Sequence, residues 1–246
     1  MSGRAELFAR LPLLRADRWW LDLARASPDG RVIELGAGAG RLTAALVATG
    51  VEVTAVERDP AMLAQLQARI GGEAEVVAAD VTALPDLPPA GLVVLASSLV
   101  NELPDGSARR AALAGAERCV QPSGTVALHL LGPWWLARLA GRSRGRLEPA
   151  GGGPPVEVTI EAGELDPWGG RRRATLTYAF PDGTVLVDQL DAAVVTPTEL
   201  EADLAAVGLA IVSRFGPEPP HDAPRVEAPA FHLVCRRSGV LGTEHR

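Results

Sequence analysis

Short apolar runs alternate with segments of helical period along the first half of the chain. The run RVIEL at 31–35 has the length and composition of a buried strand, and Leu42 and Leu46 in the next segment share one helical face. Strand runs that are apolar on both faces are typical of parallel sheets covered by helices on each side. We therefore predict an α/β fold with strands at 31–35, 51–57, 74–80, 91–97 and 125–131.

The pattern changes in the second half of the chain. Apolar residues recur at every second position in PVEVTIEAG, RRRATLTYAF and GTVLVDQLDAAVV, and a PDG sequence at 181–183 forms a tight turn between two of these segments. This period predicts an antiparallel insertion within 132–195. The arginine-rich segment 138–146 is predicted as a solvated loop, with contact to an anionic substrate as the alternative.

Two helices carry clear start signals. Thr196 and Glu199 form a capping box, and Asp59 precedes a proline in the position of a helix cap. Two more strands are predicted after the second of these helices, at 209–215 and 230–236.

Composition limits the class of protein. The 246 residues are 47% hydrophobic, enough for one α/β domain with additions or for two small domains. No apolar run approaches the roughly 20 residues of a membrane span, and the amino-terminal segment has scattered arginines in place of a signal-peptide core. We predict a cytoplasmic protein without a membrane partner. The net charge of -6 argues against a broad nucleic-acid surface.

Two residue types are informative by their scarcity. All 24 basic residues are arginine, so lysine-dependent chemistry is excluded, including Schiff bases, Walker-type phosphate loops and kinase mechanisms. The same compositional bias makes arginine runs weak functional signals. Cys119 and Cys235 are too few for a disulfide framework and are predicted to be buried thiols. No metal-ligand spacing is present, so no metal is expected.

A glycine-rich turn follows the first strand. Gly36, Gly38 and Gly40 lie where a strand passes into a helix, a common place for cofactors in α/β sheets. The dinucleotide fingerprint requires a third glycine at 41, where this chain has Arg41, and this weakens a nicotinamide interpretation.

Acidic residues recur at the ends of the first three predicted strands. Glu34, Glu57 and Asp80 are separated by 23 residues in each case. Because the carboxyl ends of parallel strands meet at one edge of a sheet, these carboxylates are expected to lie together. The alternative is that each acid caps the turn after its strand.

These motifs together resemble those of the class I S-adenosylmethionine-dependent methyltransferases. VIELGAGAGRLT is similar to their first motif, VTAVERDPAML to the second and VVAADVTAL to the third, while GLVVLASSLVNELPD and TPTELEADLAAVGL fit small-molecule members. The resemblance covers about 31–131 and 196–237. It implies a Rossmann-like seven-stranded sheet with an antiparallel last strand, S-adenosyl-L-methionine as cofactor, and transfer of a methyl group to an O or N atom of a small molecule.

The resemblance also implies roles in the cofactor site. Glu57 is expected to take both ribose hydroxyls, Asp80 the adenine amino group and the Val81 backbone the adenine ring, while Met62 covers the adenine. Glu34 and the glycine turn suit the methionine end. Arg15 or Arg18 is expected to pair with the ligand carboxylate, with an exposed surface charge as the alternative. The predicted cofactor-binding residues are Arg15, Glu34, Gly36, Ala37, Gly38, Glu57, Met62, Asp80, Val81 and Ser97.

The segment after the fourth strand, SSLVNELPD, faces the expected reaction edge. Asn101, Glu102 and His129 are the candidate catalytic residues, although a capping or loop role for the first two and a core imidazole for His129 remain open. Members that methylate nucleobase amines commonly carry an NPPY-like sequence here. Its absence favours a metabolite over a nucleic acid as acceptor.

The predicted organisation has four parts: an amino-terminal helical lid at 1–30, the cofactor-binding core at 31–131, the antiparallel insertion acting as a substrate lid at 132–195, and the carboxyl-terminal part of the core sheet at 196–246. Most aromatic residues lie in the two lids, where they either line an apolar pocket or pack the lids on the sheet. Two rival functions remain, an NAD-dependent oxidoreductase and a non-catalytic binding protein. The oligomeric state is not predicted.

Overall fold

The computed structural model describes residues 3–166, 168 and 170–240, so the outermost residues of the first and last predicted parts lie outside the described residues. Eleven strands in this described part form two sheets. The larger sheet has seven strands: β1 (Arg31–Leu35), β2 (Glu52–Glu57), β3 (Glu75–Ala78), β4 (Ala90–Leu95), β5 (Val120–Leu131), β10 (Leu209–Phe215) and β11 (Ala230–Arg237).

The strand order of the larger sheet creates a crevice at its carboxyl edge. The order is β10-β11-β5-β4-β1-β2-β3, with β1 to β5 parallel and β11 antiparallel to both of its neighbours. The chain therefore leaves β1 toward β2 on one side, whereas β4 lies on the other, and such a reversal opens a ligand crevice. The predicted α/β fold with a seven-stranded sheet and an antiparallel last strand is confirmed.

Helices cover both faces of this sheet. They are α1 (Gly3–Arg10), α2 (Arg18–Arg25), α3 (Arg41–Val47), α4 (Pro60–Ile70), α5 (Leu99–Glu102), α6 (Gly106–Cys119), α7 (Pro133–Arg138) and α8 (Pro197–Ala206). Residues of α2, α3 and α4 pack on one face, and residues of α6 and α8 on the other. Because side chains alternate along a strand, Ile33 faces one helical layer and Glu34 the other.

The predicted antiparallel insertion forms the second sheet. Its strands are β6 (Arg142–Leu147), β7 (Val156–Asp166), β8 (Arg171–Ala179) and β9 (Val185–Ala193), paired in chain order.

One prediction in this region is wrong. The arginine-rich stretch is not a solvated loop throughout, because 142–147 forms the edge strand β6. Arg142 and Arg146 point at Glu161 and Glu157 on β7, each with an Nε to Oε1 distance of 2.8 Å. Cross-strand ion pairs thus support a strand that has few apolar residues.

Three aromatic residues of the predicted lids pack in apolar clusters and do not line the main cavity. Trp19 and Trp20 of α2 are buried against the larger sheet and make edge contacts with His232 of β11. Tyr178 belongs instead to an apolar cluster between α1 and the insertion, together with Leu7. The insertion and α1 are therefore packed on each other by their own small core.

Both predicted helix caps are confirmed. The Asp59 carboxylate accepts hydrogen bonds from the backbone N–H groups of Ala61 and Met62, and Thr196 and Glu199 make the reciprocal bonds of a capping box. Cys119 and Cys235 are buried free thiols, as predicted. In the described part of the chain, no helix is both long and apolar enough to cross a membrane.

Candidate functional site

A cavity of about 430 Å³ lies at the carboxyl edge of the larger sheet, between α1, the ends of β1, β2 and β4, and strand β9 of the insertion. Its volume lies in the range of small-molecule sites. The structure brings ten of the predicted site residues into its wall: Glu34, Gly36, Ala37, Gly38, Glu57, Met62, Asp80, Val81, Ser97 and Glu102. Arg15, Asn101 and His129 do not line it.

The glycine turn forms the floor of the cavity. The N–H groups of Gly36 and Ala37 both donate to the Val56 carbonyl oxygen, which ties the turn to β2. Gly36 and Gly38 have φ angles of +73° and +58°, which a side chain rarely adopts. A Cβ at Gly36 would also lie 2.9 Å from a methyl carbon of Leu99. The glycines therefore let the backbone itself form this part of the cavity wall, with no side chains projecting into the space.

The Glu57 carboxylate organises the loops around it. Its Oε2 accepts from the Gly38 N–H at 2.8 Å, and its Oε1 accepts from the N–H groups of Arg58 and Asp59 at 2.8 Å each. Three charge-assisted hydrogen bonds hold the side chain in one orientation at the end of β2. A carboxylate has about four lone-pair sites, so acceptor capacity remains for a ligand hydroxyl.

Asp80 lies beside Glu57 at the end of β3. Hydrogen bonds from the Thr82 N–H and from the Arg58 guanidinium lower the pKa of this carboxyl below its usual value. Arg58 Nη1 is 2.6 Å from Asp80 Oδ2, but the arginine side chain is 70% exposed and is free to move aside. Asp80 thus combines the capping role considered from the sequence with a place in the cavity wall.

Glu34 is the most deeply buried carboxyl of the site. Its side chain is 2% exposed and accepts one hydrogen bond of 2.7 Å from the Thr43 hydroxyl. Burial raises the pKa of Glu34 from 4.5 to about 8, with a smaller contribution from the negative charge of Glu57. The group is therefore largely protonated at neutral pH unless a cation lies beside it.

Charged side chains from distant parts of the chain meet at the end of the cavity that lies next to α1 and β9, called the acceptor end below. Arg4 Nη2 of α1 lies 2.7 Å from Glu102 Oε2, and its Nε lies 3.6 Å from Asp188 Oδ1 of β9. The Ser98 hydroxyl donates to the other oxygen of Glu102 at 2.6 Å. Burial raises the pKa of Asp188 above its ordinary value. Glu102 thus lies at the junction of three elements.

Four arginines in the cavity wall were not predicted as site residues from the sequence. They are Arg4, Arg41, Arg58 and Arg171. These arginines could not be selected from the sequence, because arginine is common throughout the chain and composition does not distinguish one arginine from another. Arg41 had the best local signal, because it follows the glycine turn directly.

Asn101 has a structural environment. It is fully buried, its Nδ2 donates to the Ala193 carbonyl oxygen at 2.9 Å, and its Oδ1 accepts from the Leu131 N–H at 2.8 Å. The side chain therefore joins α5 to the ends of β5 and β9. This arrangement favours a positioning role over contact with an acceptor.

Replacing Asn101 with alanine is expected to lower the free energy of unfolding by roughly 2 to 4 kcal/mol, because an N–H and a carbonyl would lose their partners in the interior. Urea denaturation measures this loss, with Ser107→Ala on the exposed surface of α6 as control. Binding of S-adenosylhomocysteine, measured by calorimetry, should change less than about threefold. Loss of binding at unchanged stability would contradict the positioning role.

His129 does not line the cavity but contacts the backbone of a residue that does. Its Nδ1 hydrogen-bonds the carbonyl oxygen of Ser97, a cavity residue with a φ angle of +55°. Desolvation and the neighbouring His232 lower the pKa of His129 to about 3, so the ring is neutral and donates this bond. A non-glycine residue with positive φ costs about 1–2 kcal/mol, and the imidazole helps to offset this strain.

Arg15 lies outside the cavity. It is exposed, and its N–H donates to the Glu148 carbonyl oxygen at 2.9 Å. The neighbouring Arg18 is also exposed and contacts the Ala150 carbonyl oxygen. No group of three or more potential metal ligands occurs among the described residues.

Part of the chain is similar in sequence to known methyltransferases. Residues 32–124 match a family model described as a methyltransferase domain. Ribosomal RNA small subunit methyltransferase A of Anaeromyxobacter sp. (strain K) is 46% identical over 66 residues, which are 26% of this chain and 23% of that protein. The chain thus spans about a quarter of the length of this curated relative.

Solved structures extend the likeness to the whole fold. The CcbJ methyltransferase of Streptomyces caelestis has a TM-score of 0.77 at 21% identity, with 95% of this chain and 96% of that chain covered. CalS10, an amino pentose methyltransferase of Micromonospora echinaspora solved with bound SAM, has a TM-score of 0.65 at 20% identity, with 89% of each chain covered.

Residues 32–124 of the chain are thus similar to a methyltransferase domain. Over nearly its whole length the chain shares its fold with solved S-adenosylmethionine-dependent methyltransferases, the family that the sequence motifs resemble.

Proposed function

We propose that the protein binds S-adenosyl-L-methionine in this cavity and transfers its methyl group to an O or N atom of a small-molecule acceptor. The observation that carries the proposal is the meeting of Glu57, Asp80 and the glycine turn in one cavity at the carboxyl edge of the sheet. The family match covers the same part of the chain.

The residues of the cavity fit this cofactor. Glu57 has acceptor capacity left for one ribose hydroxyl, and Asp80 for the adenine amino group once Arg58 moves aside. Met62 and Val81 are buried apolar residues in the wall beside these acids and suit the faces of a purine. A Cβ on Gly38 would meet no protein atom within 4 Å, so the glycine leaves open space for the ligand.

The chain's own residues have simple tasks in the reaction. Bound S-adenosylmethionine supplies an activated methyl group on a sulfonium. The protein must hold the acceptor atom in line with that methyl and exclude water, effects worth roughly 7 to 11 kcal/mol in favourable cases. Helix α1 and strand β9 close over the cavity and provide this exclusion.

Glu102 is the best-placed group to handle the acceptor's proton. Its carboxylate lies in the wall at the acceptor end and is held by Ser98 and Arg4. It can accept a proton from a hydroxyl, or hold an amine that attacks in its neutral form. His129, by contrast, acts through the Ser97 backbone in this proposal, and Asn101 through α5.

A small-molecule acceptor fits the enclosed acceptor end better than a nucleic acid. Arg4, Phe8, Gln189 and Leu190 belong to α1 and β9 and cover the cavity. The ribosomal RNA methyltransferase matches over 66 residues only, a quarter of that protein. CalS10, whose name describes an amino pentose methyltransferase, makes amino sugars the first acceptors to test.

The proposal is tested with the full chain, methyl-labelled S-adenosylmethionine and a panel of amino sugars, their hydroxyl analogues and ribosomal RNA. We expect micromolar S-adenosylhomocysteine binding and label transfer to at least one small molecule. Tight binding of NADH without binding of S-adenosylhomocysteine would favour the oxidoreductase over the methyltransferase. Binding without transfer to any acceptor would favour a non-catalytic role, and labelled RNA would overturn the small-molecule assignment.

A further inference from the structure

Arg4 of α1 lies between two carboxylates that belong to different elements. Its Nη2 is 2.7 Å from Oε2 of Glu102 on α5, whereas its Nε is 3.6 Å from Oδ1 of Asp188 on β9, which is longer than a hydrogen bond. The Arg4 side chain is 43% exposed and lies over the ring of Phe8, one turn along α1. One guanidinium thus has a close partner on α5 and a second partner within reach on the insertion.

Asp188 is a largely buried carboxylate whose cation is not at hydrogen-bond distance. Its side chain is 13% exposed and shares one face of β9 with Leu186 and Leu190. Burial raises the pKa of this carboxyl, and the attraction of Arg4 at 3.6 Å does not offset that effect. A guanidinium that donates directly to a buried carboxylate stabilises its ionised form. A movement of less than about 1 Å would bring Arg4 to hydrogen-bond distance of Asp188.

The present partner of Arg4 is the group that the acceptor requires. Glu102 is the residue proposed to handle the acceptor's proton, and Arg4 and Glu102 both line the cavity. Both oxygens of Glu102 have partners, since Ser98 donates to Oε1 and Arg4 donates to Oε2. An acceptor hydroxyl or amine must come within about 2.6–3.2 Å of a carboxylate oxygen to transfer its proton. The guanidinium on Oε2 occupies this space.

We propose that Arg4 moves from Glu102 to Asp188 when the acceptor's reacting group binds at Glu102, so that Asp188 is a positioning residue for the acceptor. This inference rests on the proposed function, in which Glu102 lies at the acceptor end. Arg4 keeps one ion pair in both states, so the exchange does not leave a charge without a partner. Pairing with Asp188 also draws α1 and β9 together over the bound acceptor.

Tyr178 provides a signal of the position of Arg4. It is the only tyrosine of the chain, and it lies on β8 opposite Leu186 and diagonal to Asp188. Burial raises the pKa of Tyr178, with further effects from the charges of Asp188, Arg4 and Glu102. A ¹³Cζ-tyrosine label therefore gives a single resonance that responds to which carboxylate Arg4 contacts.

The first test needs no acceptor. In the full chain, Glu102→Gln removes the charge that holds Arg4 at α5 and should shift the Tyr178 resonance. Part of this shift is the direct effect of the lost charge, so the same substitution is also made in Asp188→Asn. The shift should fall by at least about half in Asp188→Asn, because Arg4 then has no second carboxylate to approach. Equal shifts in the two backgrounds would overturn the proposal.

The second test uses an acceptor from the panel of amino sugars and hydroxyl analogues. Asp188→Asn should raise KM for this acceptor about 10-fold, while affinity for S-adenosylhomocysteine changes less than about threefold. In Arg4→Gln, where no guanidinium competes for Glu102, adding Asp188→Asn should raise KM less than about twofold. Asp182→Asn is the matched control, because it removes the partner of Arg10 at the other end of α1 and should leave KM unchanged.

The outcomes separate this inference from the proposed function. A rise in KM that is the same with and without Arg4 would show that Asp188 is structural, and the inference would fail while the proposed function stands. If the chain methylates no acceptor, the proposed function fails, and the Tyr178 resonance alone decides whether Arg4 exchanges partners. Circular dichroism melting confirms that each variant is folded. Asp188→Leu, whose side chain matches its apolar neighbours on β9, takes the place of Asp188→Asn if that variant does not fold.

Discussion

Replacing Glu57 with alanine is expected to weaken S-adenosylhomocysteine binding by at least about 100-fold. The carboxylate holds the N–H groups of Gly38, Arg58 and Asp59, so its removal releases the glycine turn and the start of α4 at once. In the proposed site it also takes a ribose hydroxyl, whose bond to a charged group is worth about 1.5–3 kcal/mol. Both effects act on the same ligand.

Calorimetric titration of the full chain measures the effect. Glu52→Ala is the matched control, since it removes a carboxylate from the other end of β2, where the side chain is 73% exposed. Glu57→Gln keeps one acceptor oxygen for the loops and is expected to fold even if Glu57→Ala does not, with an intermediate loss of affinity. A folded Glu57→Ala protein that retains wild-type affinity would refute the role of Glu57.

Replacing Glu34 with glutamine is expected to stabilise the unliganded protein and to weaken the cofactor complex. The amide oxygen still accepts the hydrogen bond from Thr43. Because an amide does not ionise, the variant avoids the cost of a buried negative charge. Raising a pKa from 4.5 to about 8 corresponds to a cost on the order of 5 kcal/mol once the group must ionise. The methionine end of the cofactor, where Glu34 is expected from the sequence, loses an ionisable group, so affinity should fall about 10-fold.

The stabilisation by Glu34→Gln depends on pH. Because the folded-state pKa of Glu34 lies above its unfolded value, wild-type stability from this group is complete below about pH 4.5 and is lost as the pH rises to about 8. The variant has no such loss. The difference in unfolding free energy should therefore grow between pH 5 and pH 8 and become constant above that range.

Urea denaturation of both proteins at pH 5, 6.5 and 8.5 measures this difference. Glu52→Gln provides the matched control, because it makes the same substitution at a carboxyl that is 73% exposed on the surface. A constant difference between wild type and Glu34→Gln would contradict the assignment of a raised pKa to Glu34. A gain in cofactor affinity in Glu34→Gln would contradict the expected role of Glu34 at the methionine end of the cofactor.

The sequence by itself determined the features that depend on local pattern. Strand β1 has the predicted bounds, and the cap at Asp59 lies where its position before a proline placed it. Alternation of strands and helices also sufficed to bring Glu34, Glu57 and Asp80 to one cavity, because parallel strands of a sheet end at a common edge. Each strand and each helix cap is specified by residues that lie close together in the sequence.

Only the tertiary structure decided which side chains face the cavity and in what charge state. Asn101, a candidate catalytic residue from the sequence, is held in the interior by hydrogen bonds to Ala193 and Leu131. Arg41 rather than Arg15 lines the cavity. Both placements depend on partners far along the chain. The edge strand β6 likewise depends on ion pairs with β7. Periodicity specifies the face of an element, whereas desolvation and pairing depend on what packs against that face, and that is set by contacts between distant segments.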